Sequence, residues 1–322
     1  MPKAIRLHAH GGADVLRYET VEVGAPATGE VRIKQTAIGL NFIDIYQRSG
    51  LYPLPTLPAV LGLEGAGVIT ALGAGVTDFA VGDRVAYAGC PGAYASERLA
   101  PADRLVKVPE GISDETAAAM MLKGMTVRYL FRETFSVKPE TVMLFHAAAG
   151  GVGLIACQWA KALGATMIGT VSGDDKAQRA AASGCTHVIN TGRDDVVARV
   201  MDITGGNGVD VAYDSVGRDT YLQSLQCLRP KGLWVSFGNA SGPVPPFDLS
   251  VLKGSLFATR PSLFAYTARR DDLVANAAEL FSMVQGQSVK IAINHSYPLA
   301  DAAAAHRDLE ARRTTGSIVL IP

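Results

Sequence analysis

The chain has 322 residues, 48% hydrophobic and 19% charged, with 30 basic residues balancing 30 acidic ones. That length exceeds one ordinary hydrophobic core and predicts about two domains, and the composition excludes a chain dominated by disorder. Zero net charge gives no sequence-wide attraction to nucleic acid or anionic lipid; no run approaches the roughly 20 apolar residues of a membrane span, and a start without the apolar core of a signal peptide makes the cytoplasm the default compartment.

From Pro2 to about Lys123, short β-rich runs such as VRIKQTAIGLNF, GAGVITALG and GDRVAYAG are broken by glycine and proline. Such spacing predicts an irregular, largely antiparallel β domain. The run SDETAAAMMLKGMTVRYLFRE then predicts a helix capped by Ser113 that leads into a second region. From about Thr126 to Pro261 the apolar runs TVMLFH, TMIGTV, THVIN, VDVAYDS, LWVSFG and SLFAT alternate with helical segments such as LIACQWAKALG and YLQSLQCLR. This alternation predicts an α/β region with a parallel sheet covered on both faces, and six strands suit a doubly wound dinucleotide fold. The last sixty or so residues show two helical runs and a final strand, GSIVLIP. They are too short for a comfortable separate domain and are expected to pack on the N-terminal region. Cys90, Cys157, Cys185 and Cys227 form no C-x-x-C pair and read as free thiols. The N-x-S triplets at Asn239 and Asn294 are read as chance.

The segment HAAAGGVG, His146 to Gly153, lies between a strand-like and a helix-like run. From Ala148 it fits A-x-G-x-x-G, a variant of the dinucleotide fingerprint. A glycine at Gly150 or Gly151 admits a pyrophosphate to the backbone, Gly153 permits close packing of helix on strand, and the helix N-terminus favours the negative charge. No Walker lysine follows, which disfavours nucleotide hydrolysis. About 20 residues on, at the end of the second strand, an NAD site usually carries an acid for the ribose 2′-hydroxyl. Here IGTVSGDDK places Ser172 there, with Lys176 four residues later, a pairing suited to a 2′-phosphate and so to NADP. The alternative reading has Asp174 or Asp175 reaching the ribose while Lys176 is merely solvated.

Over essentially its whole length the sequence resembles the zinc-free, ζ-crystallin-like quinone oxidoreductases of the medium-chain dehydrogenase/reductase superfamily. The resemblance rests on GLNFIDIYQRSGLYP, LGLEGAGVI, LKGMTVRYL, FHAAAGGVGLIACQWAKALGA, YDSVG, VSFGNASG and ATRPSL, in that order. It implies a GroES-like β-rich catalytic domain from residues 1–125 and 262–322, a Rossmann NADPH-binding domain from 126–261, an active site in the cleft, and a homodimer formed through the Rossmann sheets. Zinc-containing relatives place a cysteine where Asn41 stands and a histidine where Leu63 stands, and the four-cysteine zinc lobe has no counterpart, so no metal is expected. Matching blocks imply cofactor contacts at Asn41, Phe42, Ile43, Asp44 and Tyr46, at Lys123 and Tyr129, and at Gly150, Gly151, Val152 and Gly153 on the pyrophosphate. Ser172 and Lys176 are implied at the 2′-phosphate, with Thr191 standing where close relatives have a tyrosine. Ser215, Val216, Phe237, Gly238, Asn239, Ser262, Leu263 and Phe264 would line the rest, and Arg312 would close the site.

NADPH carries the hard chemistry, so the protein has to aim its hydride at an acceptor and exclude water. A quinone accepts electrons readily, and Asn41, Tyr46 and Tyr52 are the expected catalytic groups, bonding the acceptor oxygen as charge develops on it. Without the resemblance, tyrosines beside Pro53 and Pro55 read as loop packing. His146 reads either as a proton relay or as a packed, hydrogen-bonded histidine, Cys157 as core, and Glu64 as a structural hydrogen-bonding group. The acidic pairs at Asp174, Asp194 and Asp271 read as loop or helix-start positions. The rival enzymatic reading is reduction of an activated carbon–carbon double bond in an enal or enone. A cofactor-bound structural or RNA-binding protein is the rival of another class, which the neutral charge does not support.

Overall fold

The computed structural model describes residues 1–322. The chain divides into two compact units, Met1–Met125 with Tyr266–Gly286 and Ile291–Pro322, and Thr126–Ala265 with Gln287–Lys290.

The first unit is built on a seven-stranded sheet and a three-stranded sheet. The long strand Glu30–Leu40 pairs antiparallel with Glu64–Leu72, Glu97–Pro101 and the C-terminal strand Ser317–Ile321, so both chain ends share one sheet. Its alternating burial sends Val31 and Ile33 into a core with Ile69, Val85 and Leu320. A strand absent from the sequence reading, Ile293–Pro298, runs parallel to Ser317–Ile321, the two joined through the helix Ala302–Glu310. Half of its positions are exposed and its sequence, INHSYP, carries four polar or proline residues, so it lacks the apolar run that marks a buried parallel strand.

The second unit holds six parallel strands: Val142–Phe145, Thr166–Val171, His187–Asn190, Val209–Asp214, Leu228–Ser236 and Phe257–Thr259. Numbered in chain order, their spatial order is 3-2-1-4-5-6, the doubly wound arrangement. The strand order reverses beside Val142–Phe145, which leads into the fingerprint loop. Leu144, Ile168, Ala212 and Trp234 are among the residues that form the core on this sheet.

The expected helix after Ser113 is present as Asp114–Tyr129, and Ser113 Oγ caps it by accepting from Thr116 N–H at 3.1 Å. It ends in a π turn, Leu130–Thr134, whose closing bond runs from Phe135 N–H to Leu130 O. All four cysteines are free and buried.

Candidate functional site

In the second unit, the segments named from sequence leave the carboxyl ends of the parallel strands, where doubly wound folds bind their ligands. The loop after Val142–Phe145 turns sharply. Ala147 takes a left-handed φ of 57°, and Gly150 N–H closes the turn on Ala147 O at 2.9 Å. The helix Gly151–Ala162 starts there with Gly150 at its cap. The N–H groups of its opening turn, Gly151, Val152 and Gly153, have no helical acceptor, so they are donors for an anion at the positive end of the dipole. A Cβ on Gly153 would lie 2.5 Å from Ala147 O and 2.6 Å from Ala148 C, so only glycine lets the helix begin this close to the strand end. These features fit a dinucleotide pyrophosphate.

At the end of the second strand, Lys176 Nζ donates to Ser172 Oγ at 3.2 Å. The four-residue spacing sets both beside Gly173, where even a Cβ would meet nothing within 4 Å, leaving open room for a phosphate. Asp174, the alternative ribose ligand, is engaged sideways by Asn190 Nδ2 at 2.9 Å and Arg193 Nη1 at 2.8 Å. Arg193 thus brings a third cationic or hydroxyl group to this corner, and the sequence reading missed it. Its signal was the positive charge in NTGRDD, three residues past the third strand. Thr191 donates from both N–H and Oγ1 to Val171 O, at 2.8 and 3.1 Å, which fixes it beside the residue preceding Ser172.

The ends of the fourth and fifth strands lean together. Ala240 N–H donates to Ser215 O and Ser241 N–H to Val216 O, and a Cβ on Gly238 would meet Ser215 O at 2.6 Å. Ser215, Val216, Phe237, Gly238 and Asn239 are therefore one edge, and the Phe237 ring stands 5.8 Å from Phe145. Ser262, Leu263 and Phe264 follow the sixth strand, with Leu263 buried and Phe264 exposed. Tyr129 is buried at the end of its helix.

His146 is a satisfied core residue. Its ring bonds Thr170 Oγ1 and Ser224 Oγ, each at 3.0 Å, Ser224 in turn donates to Asp214, and burial holds the imidazole below its ordinary pKa. Both ring nitrogens are thus engaged by buried side chains, which is the packed, hydrogen-bonded arrangement.

In the first unit, Asn41 precedes the helix Phe42–Ser49, whose first turn holds Phe42, Ile43 and Asp44. Asn41 N–H donates to Asp44 Oδ2 and Asn41 Nδ2 to Glu64 Oε2, both at 2.8 Å. Glu64 is fully buried. It also accepts from Leu122 N–H at 2.7 Å and faces Lys123 Nζ at 3.3 Å, which brings Lys123 to Asn41. Tyr46 and Tyr52 meet edge to face with ring centroids 5.1 Å apart, and Phe42 lies 6.2 Å from Tyr46. Asp44 continues into a buried chain: Tyr94 Oη donates to Asp44, His306 bonds Tyr94 and Arg48, and Arg48 pairs with Glu310. Arg312 lies in the turn after Ala302–Glu310 with a left-handed φ of 57°.

The positions where a zinc site would stand offer an amide at Asn41 and an alkyl chain at Leu63. No group of three or more His, Cys, Asp or Glu side chains able to hold a metal is present. A cavity of about 530 Å³ beside Arg6, Glu22, Pro58 and Arg98 contains none of the site residues.

Residues 27–110 match the family described as alcohol dehydrogenase GroES-like domain, and residues 151–282 the family described as zinc-binding dehydrogenase. The chain is 52% identical to a quinone oxidoreductase of Pseudomonas aeruginosa, over 100% of both chains. It is 47% identical to a 2-haloacrylate reductase of a Burkholderia species, over 100% of this chain and 99% of that protein. The crystal structure of Escherichia coli quinone oxidoreductase complexed with NADPH, 51% identical, aligns over 99% of this chain and 100% of its own with a TM-score of 0.98.

Proposed function

Because the chain belongs to the quinone oxidoreductase family of the medium-chain dehydrogenase/reductase superfamily, we propose that it reduces quinones with NADPH and without a metal. The observation that carries the cofactor choice is the Ser172–Lys176 pair at the end of the second strand, where an NAD site would carry an acid.

In this reading residues 126–261 bind the cofactor, and residues 1–125 with 262–322 form the catalytic domain. The N–H groups of Gly151, Val152 and Gly153 hold the pyrophosphate, with Gly150 shaping the turn. Ser172 and Lys176 hold the 2′-phosphate, Thr191 flanks them, and Arg193 adds charge. Ser215, Val216, Phe237, Gly238, Asn239, Ser262, Leu263 and Phe264 line the rest with Tyr129 and Arg312. Asn41, Phe42, Ile43, Asp44, Tyr46 and Lys123 lie toward the nicotinamide. Bound NADPH supplies the hydride. The protein's part is to orient the acceptor, exclude water and stabilise charge on the acceptor oxygen, a task for the hydroxyls of Tyr46 and Tyr52 beside Asn41.

The chain has no helix long and apolar enough to cross a membrane, in keeping with a cytoplasmic enzyme. Homodimerisation is proposed through the edge strand Phe257–Thr259, which presents Phe257 at 61% exposure. The likeness to 2-haloacrylate reductase favours one second reading, reduction of an activated carbon–carbon double bond.

The test is steady-state oxidation of NADPH and NADH with 1,4-benzoquinone and with an alkenal, on wild type and Lys176→Ala. NADPH with benzoquinone should be the preferred pair, and Lys176→Ala should raise KM for NADPH while leaving NADH unchanged. A strong preference for the alkenal would overturn the quinone assignment, and equal use of NADH the cofactor assignment.

A further inference from the structure

Two of the four thiols meet behind the fingerprint loop, both within the second unit. Cys157 lies on the helix Gly151–Ala162 that the loop opens, with its Sγ 3.7 Å from Ala148 O. Cys185 lies just ahead of the strand His187–Asn190, and its thiol donates to His187 O at 3.1 Å. Room for that sulfur exists because residue 169 is glycine: a Cβ there would lie 2.6 Å from both Cys185 Sγ and Ala148 Cβ. The two thiols hydrogen-bond to each other. They are not equivalent. Cys157 is sealed in at 0% exposure, whereas Cys185 keeps 7% and stands next to the exposed Thr186 and His187. The hydrogen bond from Cys157 holds Cys185 below the ordinary thiol range, against the effect of burial, and the backbone N–H groups of Gly169 and His187 add to the lowering. The strand after Cys185 is the edge farthest from Phe257–Thr259, so a dimer formed through the latter leaves Cys185 at its outer rim.

We propose that Cys157 and Cys185 are a redox-active dithiol that small hydroperoxides oxidise to a disulfide, and that this bond weakens NADPH binding by displacing the fingerprint loop. The second half rests on the NADPH reading above. Cys185, as thiolate, attacks one oxygen of the hydroperoxide; the O–O bond breaks, water or an alcohol leaves carrying the thiol proton, and Cys185 becomes a sulfenic acid. The Cys157 sulfur then attacks the Cys185 sulfur, the S–S bond forms, and the sulfenic oxygen departs as water with the Cys157 proton. Two electrons pass from the two thiols to the peroxide. A disulfide of about 2.05 Å is much shorter than a hydrogen-bonded contact between sulfurs, so the helix has to close on the strand. Ala148, which touches Cys157 and faces Cys185 across Gly169, has to move with it, and Ala148 belongs to the loop that leads into the N–H groups of Gly151, Val152 and Gly153.

The experiment treats the folded, fully reduced protein with hydrogen peroxide, removes the peroxide, and reads mass and NADPH binding. Wild type should become about 2 Da lighter, the two thiol hydrogens, and peptide mapping should join Cys157 to Cys185 while Cys90 and Cys227 stay reduced. Calorimetric titration should show NADPH bound about tenfold more weakly by the oxidised protein, the scale of a misplaced helix N-terminus, and dithiothreitol should restore it. In Cys157→Ala, dimedone should trap a sulfenic acid at Cys185. In Cys185→Ala, the same treatment should leave Cys157 reduced and NADPH binding unchanged. Should either variant fail to fold, the wild-type map alone still decides which thiols react. A disulfide between other cysteines, oxidation at Cys157 ahead of Cys185, no reaction in the folded protein, or a Cys157–Cys185 disulfide that leaves NADPH affinity unchanged would each overturn the inference. Reduced wild type that failed to bind NADPH would defeat the cofactor reading and with it the second half of this proposal; the masses test the disulfide independently of that outcome.

Discussion

Asp44 is the most exposed point of this architecture to a change of pH, because it is a carboxyl group with no access to water. One oxygen accepts from Asn41 N–H and from the Tyr94 hydroxyl at 3.0 Å, and the other, Oδ1, has no partner. Burial pushes its pKa from 3.8 to about 7, against the lowering effects of Asn41, Tyr94 and Lys123, and Glu64 adds to the rise. The folded carboxyl thus holds a proton that the unfolded one has released between those two values. Stability contributed by Asp44 is complete below about pH 4, falls as pH rises through the window, and is lowest above pH 7. About three decades at about 1.4 kcal/mol each give a ceiling of ~4 kcal/mol, of which roughly 2 to 3 kcal/mol falls between pH 5 and 8. Asp44→Asn removes the ionisation and keeps an oxygen for Asn41 and Tyr94. Its stability relative to wild type should therefore rise by roughly 2 to 3 kcal/mol from pH 5 to pH 8. Guanidinium unfolding followed by far-UV circular dichroism measures this; tryptophan fluorescence would not, since Trp159 and Trp234 both lie in the other unit. His306, held at about 3 by burial and by Arg48, contributes its own pH dependence to both proteins, and the difference cancels it. A difference that stays constant across this range would refute the assignment of a neutral buried carboxyl.

Two further outcomes follow from the second unit. Gly153→Ala puts a methyl group against the backbone of Ala147 and Ala148, so the fingerprint loop must shift; NADPH affinity should drop at least tenfold in a titration, with a loss of about 1 to 3 kcal/mol in stability. If the variant bound NADPH as wild type does, the loop would not be the pyrophosphate cradle. Phe257→Asp places a charge on the exposed edge strand through which dimerisation is proposed; sedimentation should show wild type as a dimer and the variant as a monomer, and a monomeric wild type or an unchanged variant would refute that proposal.

Much of the parallel sheet was legible because strands buried on both faces read as short apolar runs, and TVMLFH, TMIGTV and VDVAYDS are such runs. Ile293–Pro298 was not legible, because a half-exposed edge strand with polar residues carries no comparable signal. The glycines and Ser172 with Lys176 could be named in advance because their spacing is local. Arg193 could not: it reaches that corner through Asp174, 19 residues earlier in the chain. Glu64 was recognisable as a buried hydrogen-bonding group, yet nothing in LGLEG says which atoms it meets.

By itself the sequence determined the order of elements and the glycine-rich turn that opens the helix after the first parallel strand, since each depends on neighbours within a few positions. Only the tertiary structure decided the 3-2-1-4-5-6 order of the sheet and the direction in which Asn41 points. Asn41 and Glu64 are 23 residues apart and Lys123 is 59 beyond Glu64. Their meeting depends on strand pairing and on a glycine at position 39 that leaves the carboxylate its space, and pairing across that distance is written in no local pattern.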